Sequence, residues 1–574
     1  MANIFSNTFG RVTGLFTGWI PWYKLPVFLG LARVFRIREK LRKDNLYDAG
    51  KIESIEQPPL GKPGVPQRTS RTVDGTYNDL DQPRMGCAGA RFGRNVPLDR
   101  VIPDQYALLT PSPRTVSLEL MTRKEFQPAT SLNLLAAAWI QFEVHDWISH
   151  GNNERNDPME IPLSGDDPWP ERPMQVRRTR HDPTRPPSST SPVPTYTNTE
   201  THWWDGSQIY GSDPETQTRV RLGVDGKLKL GSDNLLPLDP HSGVDISGVT
   251  GNWWVGLAML HTLFTLEHNA IAERLRSEFA SWTDQELFDR ARLINAALMA
   301  KIHTIEWTPA IVAHPTVEAG MNANWLTIRR SKAEHHAAPY SITEEFVAVY
   351  RMHPLMPDDF SFRSFSTGQV VDQRTLPDVA EKRARELMTK FSMADLFYSF
   401  GQMHPGAIKL HNYPRFLQRL ERTDAPTIDL ATVDILRDRE RGVPRYNEFL
   451  KLIDKEPVEK FEDLSSNKEW VEQIRRVYNG DINKVDLMVG MYAEDPPEGF
   501  GFSETAFRIF ILMASRRLQS DRFFTTDYNE KTYTKTGLKW IEDNNMRTVL
   551  RRHIPALGPV VEQLDNAFKP WPKK

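Results

Sequence analysis

A single cysteine, Cys87, stands among 574 residues, so no disulfide can form within the chain and packing alone must hold the fold. That fits a reducing compartment and an intracellular protein, either soluble or peripherally attached to a membrane. Net charge is also nearly absent, with 72 Lys and Arg against 74 Asp and Glu. The balance removes the global attraction that a nucleic acid or another polyanion would need, and none is expected as a partner. Long apolar runs are missing too. The stretch from Ile20 to Leu31 is short and carries Pro21 and Pro26, which excludes a spanning helix of about 20 apolar residues. Its basic residues follow the apolar part and no small-residue cleavage site is evident, which argues against a signal peptide. Without repeats or heptads, solenoid and coiled-coil architectures fall away.

The chain does carry a basic, amphipathic N-terminal segment, residues 1–56, in which Arg33, Arg36, Arg38, Lys40, Arg42 and Lys43 follow the apolar stretch. It suits either a membrane surface or packing on the rest of the chain. Residues 57–130 read as an extended arm, and the Pro-, Gly- and polar-rich part at 57–94 is expected to form no core. Helical periodicity begins near Ser131, with Leu134, Leu135, Ala138 and Phe142 on one face. The connection 152–197 is rich in Pro and charge and is expected to be too polar to pack. Further helices are expected at 256–279, 282–308, 343–355, 382–400 and 503–523. The fold class is mainly α, with one large catalytic domain over 131–574.

Tyr350-Arg351-Met352-His353 sets a phenol and an imidazole three residues apart in an apolar segment. On a helix that spacing puts both on one face. A His that binds haem iron through one ring nitrogen, with a Tyr one turn away, lets the phenol give up an electron and become a radical able to attack C–H bonds. Other segments accompany it: Gln141-Phe142-Glu143-Val144-His145-Asp146, then Thr201-His202-Trp203-Trp204-Asp205-Gly206-Ser207-Gln208-Ile209-Tyr210-Gly211. After it come Asp429-Leu430, Arg437-Asp438-Arg439, Gly442-Val443-Pro444-Arg445-Tyr446-Asn447 and Asp486-Leu487-Met488-Val489-Gly490.

In this order and at these separations, the segments make residues 136–524 resemble the haem peroxidase–cyclooxygenase superfamily. The resemblance implies a large helical haem-binding fold in which His353 is the proximal iron ligand and His145 the distal acid–base group. Gln141, one turn before His145, is a second distal hydrogen-bonding candidate. Asp434 stands where the family usually places an Asn as partner of the proximal His N–H, and a carboxylate there would make the imidazole a stronger donor. One calcium ion is implied, held by Asp146, Asp205, the hydroxyls of Thr201 and Ser207 and the carbonyls of Thr201 and Trp203. The positions that form ester links to haem in the peroxidases hold Val144 and Trp253, so the implied cofactor is non-covalent haem b. Thr250 replaces an Arg that helps polarise peroxide, and general peroxidase turnover is expected to be weak.

Within the superfamily, a Tyr three residues before the proximal His marks the fatty acid dioxygenases. Lys301 to Thr308, Ser503 to Phe507, Ala514 to Leu518 and Asp521 to Phe524 resemble the fatty acid α-dioxygenases more closely than the cyclooxygenases. The resemblance implies a long-chain fatty acid and O2 as substrates, trace peroxide as activator, a tyrosyl radical at Tyr350 and a 2-hydroperoxy fatty acid as product. Oxidation beside the carboxylate requires that group to lie deep in the protein. The resemblance assigns it to His303 with Arg516 or Arg522, and substrate positioning to Thr308. Arg516 and Arg522 are six residues apart, roughly 120° around a helix, so they could border one pocket without sharing a face. The alternatives are a mid-chain, cyclooxygenase-like dioxygenase, a haem peroxidase, and a haem- or lipid-binding protein without activity.

Overall fold

The computed structural model describes residues 20–54, 69–329, 331–422 and 425–574, so the expectations for 1–19 and 55–68 lie outside the described residues. The helices that position the site are α1 (Val27–Asp44), α2 (Leu134–Trp147), α3 (Val255–Glu278), α4 (Asp284–Ile302), α5 (Pro315–Ile328), α6 (Glu344–Val349), α7 (Leu430–Glu440) and α8 (Glu504–Ser520). Three two-stranded antiparallel hairpins are the strand pairings among the described residues. The fold is therefore mainly α.

The centre is built from helices that the sequence makes apolar on nearly every side. In α2 every residue from Leu134 to Ile140 is buried, and no Gly or Pro interrupts the run. Its first turn is capped by Asn133, whose carbonyl oxygen accepts from Ala136 N–H while its amide donates to the carbonyls of Ala567 and Lys569. Helix α3 packs between α2 and α4. Thr283 and Glu286 form a capping box that starts α4 at Asp284.

Four expectations need correction. The helix expected over 343–355 stops at Val349, with Tyr350 as its C-cap, and a separate 3-10 turn spans His353–Leu355. Pro354 explains the break, since it has no N–H for the carbonyl of Tyr350 and its ring crowds that turn. The helix expected over 382–400 is two, Lys382–Lys390 and Met393–Gln402, because Ser392 and Asp395 form a capping box that starts a new one. The connection 152–197 does pack. Its strands β1 (Pro158–Ile161) and β2 (Met174–Arg177) pair, and Met159, Ile161, Trp169, Met174 and Val176 form a small core with Leu108 and Leu436. The arm contributes core as well: Met85 packs with Trp203 and Tyr340, and Phe92 is buried.

Of the two uses open to the N-terminal segment, the structure shows packing on the body. Helix α1 lies against α5 and α8. Just before it, Trp22 is 2% exposed and stacks on Phe507 at 5.0 Å. Arg42 is buried and donates to Ser515 and Gln519, while Lys40 pairs with Asp454. Ile20, Val27 and Phe28 keep an exposed apolar edge. No helix among the described residues is long and apolar enough to cross a membrane.

Deleting the Trp22 ring tests this docking. Trp22→Ala is expected to lower the unfolding free energy by about 3–5 kcal/mol, the usual cost of emptying a buried aromatic site. Denaturant unfolding measures it, and a loss under about 1 kcal/mol would show that α1 is not part of the packed body.

Candidate active site

His353 and Tyr350 come from the short stretch between α6 and the segment that follows Pro354, which Arg123 fixes from outside. The Arg123 guanidinium is 1% exposed; it donates to the carbonyls of Pro354 and Met356 at 3.1 Å each and pairs with Asp358 at 3.0 Å. His353 Nδ1 lies 2.7 Å from Asp434 Oδ2, on α7. The same carboxylate accepts from the Tyr413 hydroxyl at 2.8 Å and from Arg351 at 2.6 Å. Burial alone would raise the Asp434 acid, but His353 and Arg351 overcome it and hold it at about 2. Asp434 is thus ionised and shared, so its push on the imidazole is weaker than that of an undivided carboxylate. His353 Nε2 has no partner among the described residues, and the side chain is 35% exposed. A carboxylate against one ring nitrogen and an open second nitrogen is the arrangement a haem iron ligand needs, and the residues fit the group.

His145 is on α2. Burial holds its imidazole down at about 4, so the ring is neutral, and Nδ1 is buried without a partner. Gln141 departs from expectation. Its amide oxygen accepts from Trp254 Nε1–H at 2.7 Å and its nitrogen donates to the Asn252 carbonyl at 3.3 Å. It holds Trp254 rather than standing free beside His145. Val144 and Trp253 offer no carboxylate for an ester link, and Trp253 donates to Asp245 at 3.2 Å.

The loop after Thr201 meets α2 at Asp146, whose Oδ1 accepts from both the backbone N–H and the hydroxyl of Ser207. Gly206, with φ of +81°, makes the turn that brings Ser207 there. Asp205 Oδ2 pairs with Arg292 at 3.0 Å. The remaining oxygens, Asp146 Oδ2, Asp205 Oδ1 and Thr201 Oγ1, are buried with no hydrogen-bond partner. Burial, and next the Asp205 charge, push the Asp146 acid up. No group of three or more His, Cys, Asp or Glu side chains suited to a metal exists among the described residues. One open oxygen on each of two carboxylates, with the open Thr201 hydroxyl, nonetheless suits calcium, and the ion would relieve the repulsion between the acids.

A second cluster lies around His303. Here α4 passes into a π-helical turn, His303–Trp307, closed by the Thr308 hydroxyl donating to the His303 carbonyl at 2.9 Å. Thr308 therefore shapes this turn. His303 Nδ1 accepts from Trp139 Nε1–H at 3.3 Å. Burial, with the Arg517 charge adding to it, lowers His303 well below its usual value. A neutral ring whose Nδ1 accepts must carry its proton on Nε2, so His303 is a hydrogen-bond donor.

Neither arginine expected beside His303 is free to join it. Arg516 donates to the carbonyls of His335, Ala338 and Pro339 and lies over Tyr340. Arg522 pairs with Asp527 and donates to the Tyr77 carbonyl. The residue in place is Arg517. It is 1% exposed, makes no ion pair among the described residues, and its Nε and Nη2 lack partners. Its guanidinium lies 3.8 Å from the Trp147 ring centre and 4.6 Å from that of Trp204. Trp147 also meets His303 at 5.3 Å and Tyr350 at 6.0 Å, so one ring walls all three. Burial raises the Tyr350 phenol, the Arg517 charge opposing without winning, and the hydroxyl stays protonated. It makes no hydrogen bond among the described residues. A buried cation and a neutral donor facing a phenol can receive an anion and present its neighbouring atoms to that phenol.

Comparison with known proteins finds relatives along nearly the whole chain. The family described as animal haem peroxidase matches residues 70–565. Alpha-dioxygenase 2 of Arabidopsis thaliana is 38% identical over 96% of this chain and 91% of its own length. Alpha-dioxygenase PIOX of Oryza sativa subsp. japonica is 38% identical over 96% of this chain and 93% of its own. Among solved structures, a variant of Oryza sativa fatty acid alpha-dioxygenase with palmitic acid superposes with a TM-score of 0.89 at 35% identity, covering 98% of this chain and 97% of that one. Peroxidase A of Dictyostelium discoideum, 19% identical with a TM-score of 0.73, shares the fold over 88% of this chain and 100% of its own.

The oxygen set around Asp146 and Asp205 predicts about one calcium ion per chain by elemental analysis. Chelation is expected to lower the melting temperature and re-addition to restore it. A fully active protein free of calcium would contradict the assignment.

Proposed function

The chain belongs to the animal haem peroxidase family and, within it, to the fatty acid α-dioxygenases, and we propose that it achieves α-oxidation by holding the substrate carboxylate between Arg517 and His303 so that the α-carbon faces Tyr350. The observation that carries this reading is Arg517, buried without an ion pair among the described residues and with Nε and Nη2 open, sharing the Trp147 wall with Tyr350. An uncompensated buried charge is expensive, and a carboxylate arriving there relieves that cost while gaining two charge-assisted or neutral hydrogen bonds. A methylated acid could do neither.

The haem that His353 would hold, non-covalently for want of an acid at Val144 or Trp253, supplies the one-electron oxidation of Tyr350 once trace peroxide has activated it. The chain's own residues do the rest. His145, neutral and with an open Nδ1, would accept the peroxide proton and return it. The Tyr350 phenoxyl oxygen takes a hydrogen atom from the α-carbon, forming O–H as C–H breaks. O2 adds to the carbon radical. The resulting peroxyl radical takes the hydrogen atom back from Tyr350, which leaves a 2-hydroperoxy acid and a phenoxyl ready for the next turn. Loss of carbon dioxide and water from that product, as the O–O and Cα–carboxylate bonds break, gives an aldehyde one carbon shorter. Calcium at Asp146 and Asp205 would tie α2, and with it His145, to the following loop.

Palmitate binding and oxygen uptake separate the two roles. Arg517→Leu is expected to weaken palmitate binding by about 1.5–3 kcal/mol, roughly ten- to a hundredfold, whereas Arg522→Leu leaves the free-acid preference intact. Tyr350→Phe, which removes only the hydroxyl, is expected to keep binding and lose oxygen uptake. Unimpaired binding by the Arg517 variant would move the carboxylate elsewhere, and normal uptake by the Tyr350 variant would remove the radical site.

A further inference from the structure

The surroundings of Arg517 raise a question that its role as a receptor leaves open, namely what keeps it aimed when no anion is bound. Long guanidinium side chains lose considerable freedom when fixed in one place. Among the described residues Arg517 makes no ion pair to fix it, and its bond to the Tyr340 hydroxyl leaves Nε and Nη2 open. Instead it rests on three aromatic rings: Trp147 at 3.8 Å, Trp204 at 4.6 Å and Phe346 at 5.8 Å. Trp147 and Trp204 meet edge to face, with centres 5.2 Å apart and planes at 84°. Two walls at right angles restrict a planar cation far better than one. The same two rings flank His303, at 5.3 and 5.1 Å.

Trp147 is fixed by its helix, but Trp204 sits in a loop and needs another tie. That tie is Glu143. Trp204 Nε1–H donates to Glu143 Oε2 at 2.7 Å. Glu143 is fully buried on α2, one turn before Trp147, and its second oxygen, Oε1, is buried without any partner. A carboxyl group in such a place costs stability that a leucine would not, so its retention needs a use for the one bond it makes. That bond sets the plane of the Trp204 ring, and the ring faces the guanidinium.

We propose that Glu143 is a positioning residue for fatty acid binding: through its bond to Trp204 it holds the Trp147–Trp204 cage that keeps Arg517 and His303 aimed at the carboxylate. The inference rests on the reading of Arg517 as carboxylate receptor. Glu143 itself touches neither substrate nor cofactor. What it supplies is an acceptor oxygen, which glutamine also has and leucine lacks.

The test compares palmitate with methyl palmitate, both as binding constants on the haem-loaded protein and as KM and kcat. Glu143→Leu is expected to weaken palmitate binding about tenfold while leaving the methyl ester unchanged, with the effect in KM rather than kcat. Glu143→Gln should bind palmitate within about twofold of the natural protein. Trp204→Phe keeps an aromatic face, though a smaller one than the indole, loses the N–H and stands in if Glu143→Leu fails to fold. It should reproduce the same selective loss, and where Glu143→Leu folds, combining the two should add nothing further, as expected when two residues act through one bond. If both ligands weaken equally in Trp204→Phe, or palmitate binding is unaffected, Glu143 has a structural role only and the inference fails. If the natural protein already binds ester and acid equally, it is the carboxylate reading that fails.

Discussion

A guanidinium buried without a counterion is the constraint around which this site is arranged. Leaving a charge in a protein interior costs several kcal/mol unless something compensates for it. Around Arg517 the compensation is partial: the faces of Trp147 and Trp204 stabilise the cation, while Nε and Nη2 stay unpaired. In the function proposed above the missing anion is the substrate carboxylate, which would put the reacting end of a fatty acid beside Tyr350, the opposite of an arrangement that oxidises mid-chain carbon. It also explains why the neighbours are neutral. His303 is kept unprotonated by burial and by Arg517, and the Tyr350 phenol keeps its proton.

Helix α2 distributes these duties turn by turn. Trp139 orients His303, Gln141 holds Trp254, Glu143 holds Trp204, and Trp147 walls Arg517, His303 and Tyr350. His145 and Asp146, between them, are the residues that the proposed function assigns to the haem face and to the calcium loop. A helix with so many assigned side chains has little surface left for ordinary packing, and its backbone is accordingly made rigid by a buried cap and an apolar first half. Away from Arg517, Arg351 joins Asp434 to Asp438 while Asp434 lies against His353, so a second buried network lines the residue proposed as the haem ligand.

Much of this was legible in the sequence because it is written in consecutive residues. The run from Thr201 to Gly211 and the Tyr-x-x-His spacing carry their chemistry in adjacent positions, and α3 begins within one residue of its expected start. Legibility failed where a tertiary contact decides. Arg516 and Arg517 are neighbours roughly 100° apart on α8, and only the packing of Tyr340 on one side and Trp147 on the other tells which is spoken for. The break at Tyr350 could have been read from Pro354 four residues on. The hairpin in the Pro-rich connection was hidden by its brevity, although Met159 with Ile161 and Met174 with Val176 carry the alternation of strands buried on one face.

The central claim is that the carboxylate lies at Arg517 and the α-carbon at Tyr350, and the position of the oxygen in the product reads it directly. Mass spectrometry of the product formed from palmitate and isotopically labelled dioxygen should find the label on the carbon next to the carboxylate, or in an aldehyde one carbon shorter. Label on a mid-chain carbon would contradict the account, since it would place the carboxylate at the far end of the site, away from Arg517.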